Sequence, residues 1–381
     1  MQKKAFVSVY WQQILLALLA IVVFCFWYFL YPFIPVTREM SQLFLWNSDY
    51  LTERIVLPGG FAKYLAELIV QFFLNPFNGA LIYAVLFLLA QFLSSRLLRQ
   101  FFPSLKDTYR FALSLIPPVI LWRVAMIPHI PLTPTVAVLL VLGVLTMAMN
   151  ITSKWPVKGR IVILCLLIPV CYWLAWPVSV LDYDWSGEKQ MGTYEEMECD
   201  MLMRMREWEQ IVGRFHNPES PAVESAVLLA LYQTGQMSRQ ELYKRIYVPS
   251  GSQSWPSVFN VGGKHLIVNF GSLSSAFMVS DIALQLDMPN VSQRVAFEAM
   301  EYIPNYNKSV RSIKRLTETA MITGQYQLAK KYLSILEETL FYRRWAQSMR
   351  PLVEQPELMN KKPYYQQLKK AYATSEDIFF I

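Results

Sequence analysis

Hydrophobic and polar positions divide this chain into two halves. Before Leu181 the apolar residues run in long, nearly unbroken stretches; after it they recur at the spacing of amphipathic helices. Residues 58–95 organise the first half. Gly59 and Gly60, able to take positive φ, end a loop and admit a half-polar helix from Phe61 to Leu74. Asn75, Pro76 and Asn78 break that helix, and an apolar span follows from about Gly79 to Leu93. Two helices are therefore expected to meet at a corner near one membrane face. The first of them, with Lys63, Glu67 and Gln71 in about 14 residues, is too short and too polar to cross, so it is placed at the interface.

The same pattern predicts further spans from Ile14 to Phe33 and over residues 111–127, 134–150 and 161–181. The first is expected to be retained. Its apolar run is longer than that of a cleaved signal, it ends in the aromatic belt Phe26-Trp-Tyr-Phe-Leu-Tyr-Pro32, and no cleavage site of small residues follows. The 111–127 span is the least regular, because Pro117 and Pro118 remove backbone donors in its middle. The expected fold is all-α. Residues 1–181 make a bundle of about five transmembrane helices plus the interfacial helix, and residues 182–381 make a soluble domain of helical hairpins.

Composition places the chain among membrane proteins. Hydrophobic residues make up 54% of it and charged residues 17%, with a mean hydropathy of +0.27, too apolar for a soluble protein of this length. The formal charge of +7 has a topological reading. Lys3, Lys4, Arg96, Arg99, Lys106, Arg110, Lys154, Lys158 and Arg160 fall on one side of the five spans; Arg38, Arg54, Lys63 and Arg123 fall on the other. Basic residues stay inside, so the N-terminus is expected in the cytoplasm and the C-terminal domain in a periplasm or its equivalent, with the protein in the inner membrane. No nucleic-acid partner follows from the charge. The expected partners are the lipid bilayer and a protein bound by the outer domain.

Cys25, Cys165 and Cys171 lie inside apolar spans and Cys199 stands alone in the soluble half, so no disulfide is required. His129, His216 and His265 are not at ligand spacing from one another or from a cysteine. No metal site or cofactor is expected.

The soluble half carries a degenerate repeat. Leu316, Ala320, Gly324, Tyr326 and Ala329 stand at the spacing of a tetratricopeptide unit beginning near Val310, with Leu333 and Leu336 continuing its second helix. A unit beginning near Leu273 gives Ala276, Val279, Ala283, a turn at Asp287-Met-Pro-Asn290, then Ala296, Ala299 and Pro304; here Asp287 replaces the turn glycine. Upstream, Val227, Leu231 and Gly235 echo a first helix, and Trp208, Ile211 and Phe215 a second. Small residues recur because each helix pair leaves an apolar face that the next pair must approach closely to cover. Residues 249–263 read as a long loop, in which Gly262-Gly-Lys264 lacks the spacing of a phosphate loop.

Taken together, Pro58-Gly-Gly, Gln71-Phe-Phe, Arg294-Val-Ala-Phe-Glu-Ala-Met300 and the run from Lys314-Arg-Leu through Gly324-Gln-Tyr to Ala329-Lys-Lys-Tyr-Leu333 resemble an uncharacterised family of polytopic envelope proteins from Bacteroides-type bacteria. The resemblance covers most of the chain and implies architecture and compartment only.

Two functions are expected from different classes. One is an envelope scaffold whose outer helical domain binds a protein partner. The alternative is a membrane enzyme, because the loop from Pro35 to Gly60 resembles the first external loop of glycosyltransferases that use polyprenyl-phosphate sugars. There Asp49 would be the base and Arg123 would bind the phosphate. The bland reading of the pair is a loop carboxylate and an arginine reaching to the interface. Asp182 and Asp184, spaced like a metal-binding pair, read as a solvated exit from the last span. The near absence of ionisable residues within the spans favours anchoring over transport.

Overall fold

The computed structural model describes residues 2–153, 155–175, 191–249, 260–261, 264–266, 271–303 and 308–374. Asp182, Asp184, Gly262, Gly263 and Pro304 lie outside the described residues. The chain forms two compact units, Met1–Glu39 with Asn47–Trp185 and Met40–Trp46 with Ser186–Ile381. Both are mainly helical.

In the first unit, α1 (Gln2–Cys25) continues through a π-helical turn, Phe26–Leu30, and is followed by α2 (Phe33–Met40), α3 (Ser48–Ile55), α4 (Gly60–Val70), α5 (Pro76–Phe101), α6 (Asp107–Ser114), α7 (Ile116–Ala125), α8 (Thr133–Ile151) and α9 (Val157–Ala175). The corner forms much as its glycines and asparagines dictate. Gly59 takes φ +72°. Gly60 is needed for space instead, since a Cβ there would lie 1.6 Å from the Arg54 carbonyl oxygen. The half-polar helix ends at Val70, short of Leu74, because Phe72 and Phe73 close a tight turn onto Ile69 and Val70. Asn75 then caps α5, its side chain accepting from the Asn78 amide at 2.9 Å, and Pro76 occupies the first turn, where no amide is needed. The residues that stop one helix thus start the next.

Among the described residues three helices are long and apolar enough to cross a membrane: Tyr10–Leu30, Pro76–Phe101 and Thr133–Ile151. The apolar helix Gly159–Ala175 is shorter. Residues 111–127 do not form one continuous helix. The chain breaks at Leu115 between α6 and α7, which puts Pro117 and Pro118 in the first turn of α7 rather than mid-span; a proline ring disfavours helical backbone in the residue before it, and its missing N–H costs nothing at a helix start. Helix α5 packs against α1, α6, α7 and α8, while α8 also meets α4 and α9. Trp27 stacks on Tyr83 at 4.2 Å between ring centroids, and Phe87 extends the stack toward Trp122. On the outer faces Leu18, Ile21, Val85, Phe92, Leu166 and Ile168 are exposed, an apolar surface compatible with contact to lipid.

The second unit contains α10 (Tyr194–Met205), α11 (Trp208–Arg214), α12 (Pro221–Gln233), α13 (Arg239–Ile246), α14 (Leu273–Gln285), α15 (Pro289–Ala299), α16 (Val310–Ile322), α17 (Tyr326–Glu337), α18 (Arg343–Glu354), α19 (Pro356–Met359) and α20 (Pro363–Thr374). Four successive hairpins turn in the same way. Arg206, Gly235, Asp287 and Gly324 all have left-handed backbone, with φ of +60°, +75°, +63° and +80°. The amide after each of them reaches back to the helix, from Glu207 to Leu202, Gln236 to Leu231, Met288 to Ala283 and Gln325 to Ala320. Asp287 therefore takes the backbone role of the turn glycine.

Between α13 and α14 the stretch read as a loop holds short strands: β1 (Tyr247–Pro249), β2 (Asn260–Val261) and β3 (Lys264–Leu266), antiparallel in the order β1-β3-β2. This sheet lengthens the interval between the second and third turns. Helices pack in sequence, α14 on α15, α15 on α16, α16 on α17 and α17 on α18, and α20 returns onto α15 and α16. Close approach is made by Ala283, Ala296, Ala299, Ala320 and Ala329, all buried, together with Leu316, Leu333 and Leu336. Tyr326 is only half-buried. In α12 the buried stripe is Ala222, Val223, Ala226, Leu229 and Ala230, so Val227 and Leu231 lie at its edge.

The second unit also takes in a piece of the N-terminal half. Ser309 donates its hydroxyl to the Met40 carbonyl at 2.6 Å, the Trp46 amide donates to the Glu338 carbonyl at 2.7 Å, and Phe44 is fully buried. Leu43 packs against the cluster that includes Leu333, Leu336 and Leu352.

Candidate binding cavity in the helical unit

A cluster of buried and half-buried charges in the second unit, Asp200, Asp281, Arg311, Arg315 and Glu318, converges on α16. Ser309 caps this helix by accepting from the Ser312 amide at 3.1 Å, and from that start Arg311, Lys314, Arg315 and Glu318 follow at intervals of three and four residues along one face. Ile313, Leu316, Ala320 and Met321 bury the opposite side. Arg311 donates to Asp200 at 2.7 Å and to Asp281 at 2.6 Å, and its guanidinium carbon lies 4.6 Å from the centre of the Phe277 ring. Arg315 donates to Asp281 and, at 3.0 Å, to Glu318.

The two aspartates respond differently. Burial pushes the Asp281 carboxyl up, but Arg311 and Arg315 outweigh it and hold the group at about 2. Asp200, fully buried and bonded to Arg311 through only one oxygen, is raised: burial exceeds the pull of Arg311, and its Oδ1 has no partner.

Above this network opens a cavity of about 680 Å³. Arg204, Arg206, Arg311, Lys314 and Arg315 line it, against Asp281 and Glu318 on the acidic side. Trp208, Tyr342 and Tyr364 supply aromatic walls. The lining acids both bond to arginines of α16, so the remaining cations set the sign of the field inside. Arg204 donates to the Tyr342 hydroxyl at 3.2 Å, and Lys314 stands 5.0 Å from the centre of the Trp345 ring, a neutral partner. Arg206 is exposed at the left-handed turn. Tyr364 is pushed up to about 12, by burial first and then by Glu318.

The residues singled out from the sequence are placed elsewhere. Asp49 sits exposed in the first turn of α3 and accepts from the Ser48 hydroxyl at 3.4 Å. Arg123 is exposed near the end of α7. Neither bonds to the other. Gly235, Ala283, Ala296, Ala299, Leu316, Ala320, Gly324, Tyr326 and Ala329 serve turns and packing, and none of them lines the cavity. Among the described residues no three His, Cys, Asp or Glu side chains come together as metal ligands.

The sequence reading missed the charges that are buried. Arg38, counted with the loop cations, lies inside the first unit, where it donates to the Ala125 and Ile127 carbonyls at 2.9 and 2.8 Å and to the Tyr83 hydroxyl, closing the end of α7. Glu67 accepts from Tyr50 at 2.8 Å and Arg54 at 3.1 Å, fixing α3 against α4. The readable signal for the cavity is the charged face of Arg311, Lys314, Arg315 and Glu318, set opposite the apolar stripe of α16.

Neither a curated protein nor a solved structure matches this chain. A family model described as a family of unknown function, DUF6057, matches residues 8–186 and 176–381. Since the two matches together cover nearly all of it, the chain belongs to the family of unknown function DUF6057.

Proposed function

We propose that the protein is a membrane-anchored envelope scaffold. About five spans hold it in the cytoplasmic membrane of a Bacteroides-type cell, and a tetratricopeptide-like domain outside that membrane binds a protein partner. The observation that carries this reading is the set of four hairpins closed by one turn geometry at Arg206, Gly235, Asp287 and Gly324, with a large cavity on the array they form. Repeats of this kind stack to bury a shared core and use their concave surfaces for binding. The five-span topology draws support from lengths: α6 with α7, and α9, each cover about 28 Å at 1.5 Å per residue, close to the thickness of the hydrocarbon layer.

The glycosyltransferase alternative needs an acid and a phosphate-binding cation working together. Asp49 and Arg123 stand exposed and without a shared contact, so the scaffold reading is preferred. The test is a deletion-complementation assay with abundance checked by immunoblot. Asp49→Asn is expected to complement, because it removes a base with little change in volume, while a chain ending after Trp185 is expected to fail. The reverse pair of outcomes would overturn the scaffold.

A further inference from the structure

We propose that the cavity of the second unit binds an acidic peptide segment, a stretch of partner chain carrying several carboxylates. The inference rests on the scaffold reading above and names the chemistry of its partner.

The cations of the cavity are only partly neutralised. Arg311 and Arg315 are committed to Asp200, Asp281 and Glu318. Lys314 faces an aromatic ring rather than a carboxylate, and Arg206 is exposed at its turn. The Arg315 Nε–H is buried without an acceptor. A positive lining of this kind raises the local concentration of anions and pays back desolvation through charge-assisted hydrogen bonds.

The distribution of charge selects a peptide over a compact anion. Arg204 and Arg206 come from the end of α10 and its turn, whereas Lys314 and Arg315 come from α16, far along the chain in another hairpin. Gln233, which donates to Gln285 at 2.8 Å, and Gln285 also line the cavity, each amide keeping a second polar atom for a peptide backbone, and Trp208 offers an apolar face. Carboxylates spaced along an extended chain meet separate cations. A single phosphate would call for donors gathered on one point.

The test uses the full chain in lipid nanodiscs and fluorescence anisotropy of a fluorescein-labelled octa-glutamate peptide. The wild type is expected to bind it, more weakly as salt rises. Arg206→Asn with Lys314→Gln should weaken binding at least tenfold; asparagine tolerates the left-handed turn, so the fold is kept. Removing two exposed cations elsewhere, Lys361→Gln with Lys362→Gln, should leave binding within twofold. No binding by the wild type, equal binding by the cavity variant, or displacement of the peptide by inorganic phosphate at matched concentration would overturn the proposal. These failures are distinct from failure of the scaffold reading, which falls if Asp49→Asn fails to complement and the chain ending after Trp185 succeeds.

Discussion

The Ser309 hydroxyl donates to the carbonyl of Met40 at 2.6 Å, joining residues 269 positions apart in the chain. The same hydroxyl oxygen caps α16, and Arg311, two residues further on, reaches the Met40 sulfur at 2.8 Å. A seven-residue stretch, Met40–Trp46, from the end of α2 and the link to α3 therefore completes the core of the second unit, and the start of α16 is built on it.

A fragment of residues 186–374 should accordingly be less stable than the same fragment with residues 40–46 supplied as a peptide or a fused segment. Ser309→Ala in the complete chain should cost about 1–3 kcal/mol, because it removes both a helix cap and a buried hydrogen bond. Thermal melting checks both. Equal melting temperatures with and without residues 40–46 would show that the segment adds nothing.

The Asp200–Arg311–Asp281 network makes a second prediction. Arg311→Met should destabilise the unit by about 3–5 kcal/mol, because it strands the buried Asp200 carboxylate, and Asp200→Asn in the same chain should restore part of the loss. The measure is denaturant unfolding of the single and double variants. Additive losses would contradict the coupling.

Acid behaviour follows from the directions of the two carboxyl shifts. Asp281, held near 2 against an ordinary 3.8, contributes stability that is complete above pH 4 and lost as the pH falls toward 2. The size of that term is about 2 kcal/mol. Asp200 is raised, so it takes its proton in the folded state above the ordinary 3.8, and that protonation relieves a cost before the Asp281 loss sets in. Asp200→Asn should therefore remove a gain in stability on acidification toward pH 4 and leave most of the fall between pH 4 and pH 2 in place, as read by circular dichroism. A gain above pH 4 that survives in Asp200→Asn would reverse the assignment.

Topology is tested at one point. With five spans a reporter fused after Ser153 lies in the cytoplasm, beside the basic residues Lys154, Lys158 and Arg160; with only the three longest helices crossing, it lies outside. A reporter that works only in the cytoplasm is expected to be active there, active after Gln100 and silent after Ile381. Silence after Ser153 would remove the span formed by α6 with α7, and silence after Ile381 as well would then remove that of α9.

Much of the architecture was legible because it rests on local rules. Asn75-Pro76 marked a helix start as surely as a helix stop, and the alanines at 283, 320 and 329 marked close helix approaches. Pro117-Pro118 was read as a flaw inside a span because apolar length outweighed the simpler meaning of prolines, the beginning of a helix. The buried charges were harder. Arg38 looks like any loop cation until the chain folds Ala125 and Ile127 around it, and Asp200 meets Arg311 only through long-range packing. Nothing in residues 40–46 announces membership of a core assembled from the other end of the chain. The αL geometry of Arg206 was equally hidden, since arginine carries none of the signal of a turn glycine.

The central claim is that the cavity face of the second unit does the protein's work. It is tested most directly in the deletion strain by Arg206→Asn with Lys314→Glu, expressed at wild-type abundance and with an unchanged melting temperature. The account predicts that this variant fails to complement while Asp49→Asn succeeds; full complementation by the cavity variant would contradict it.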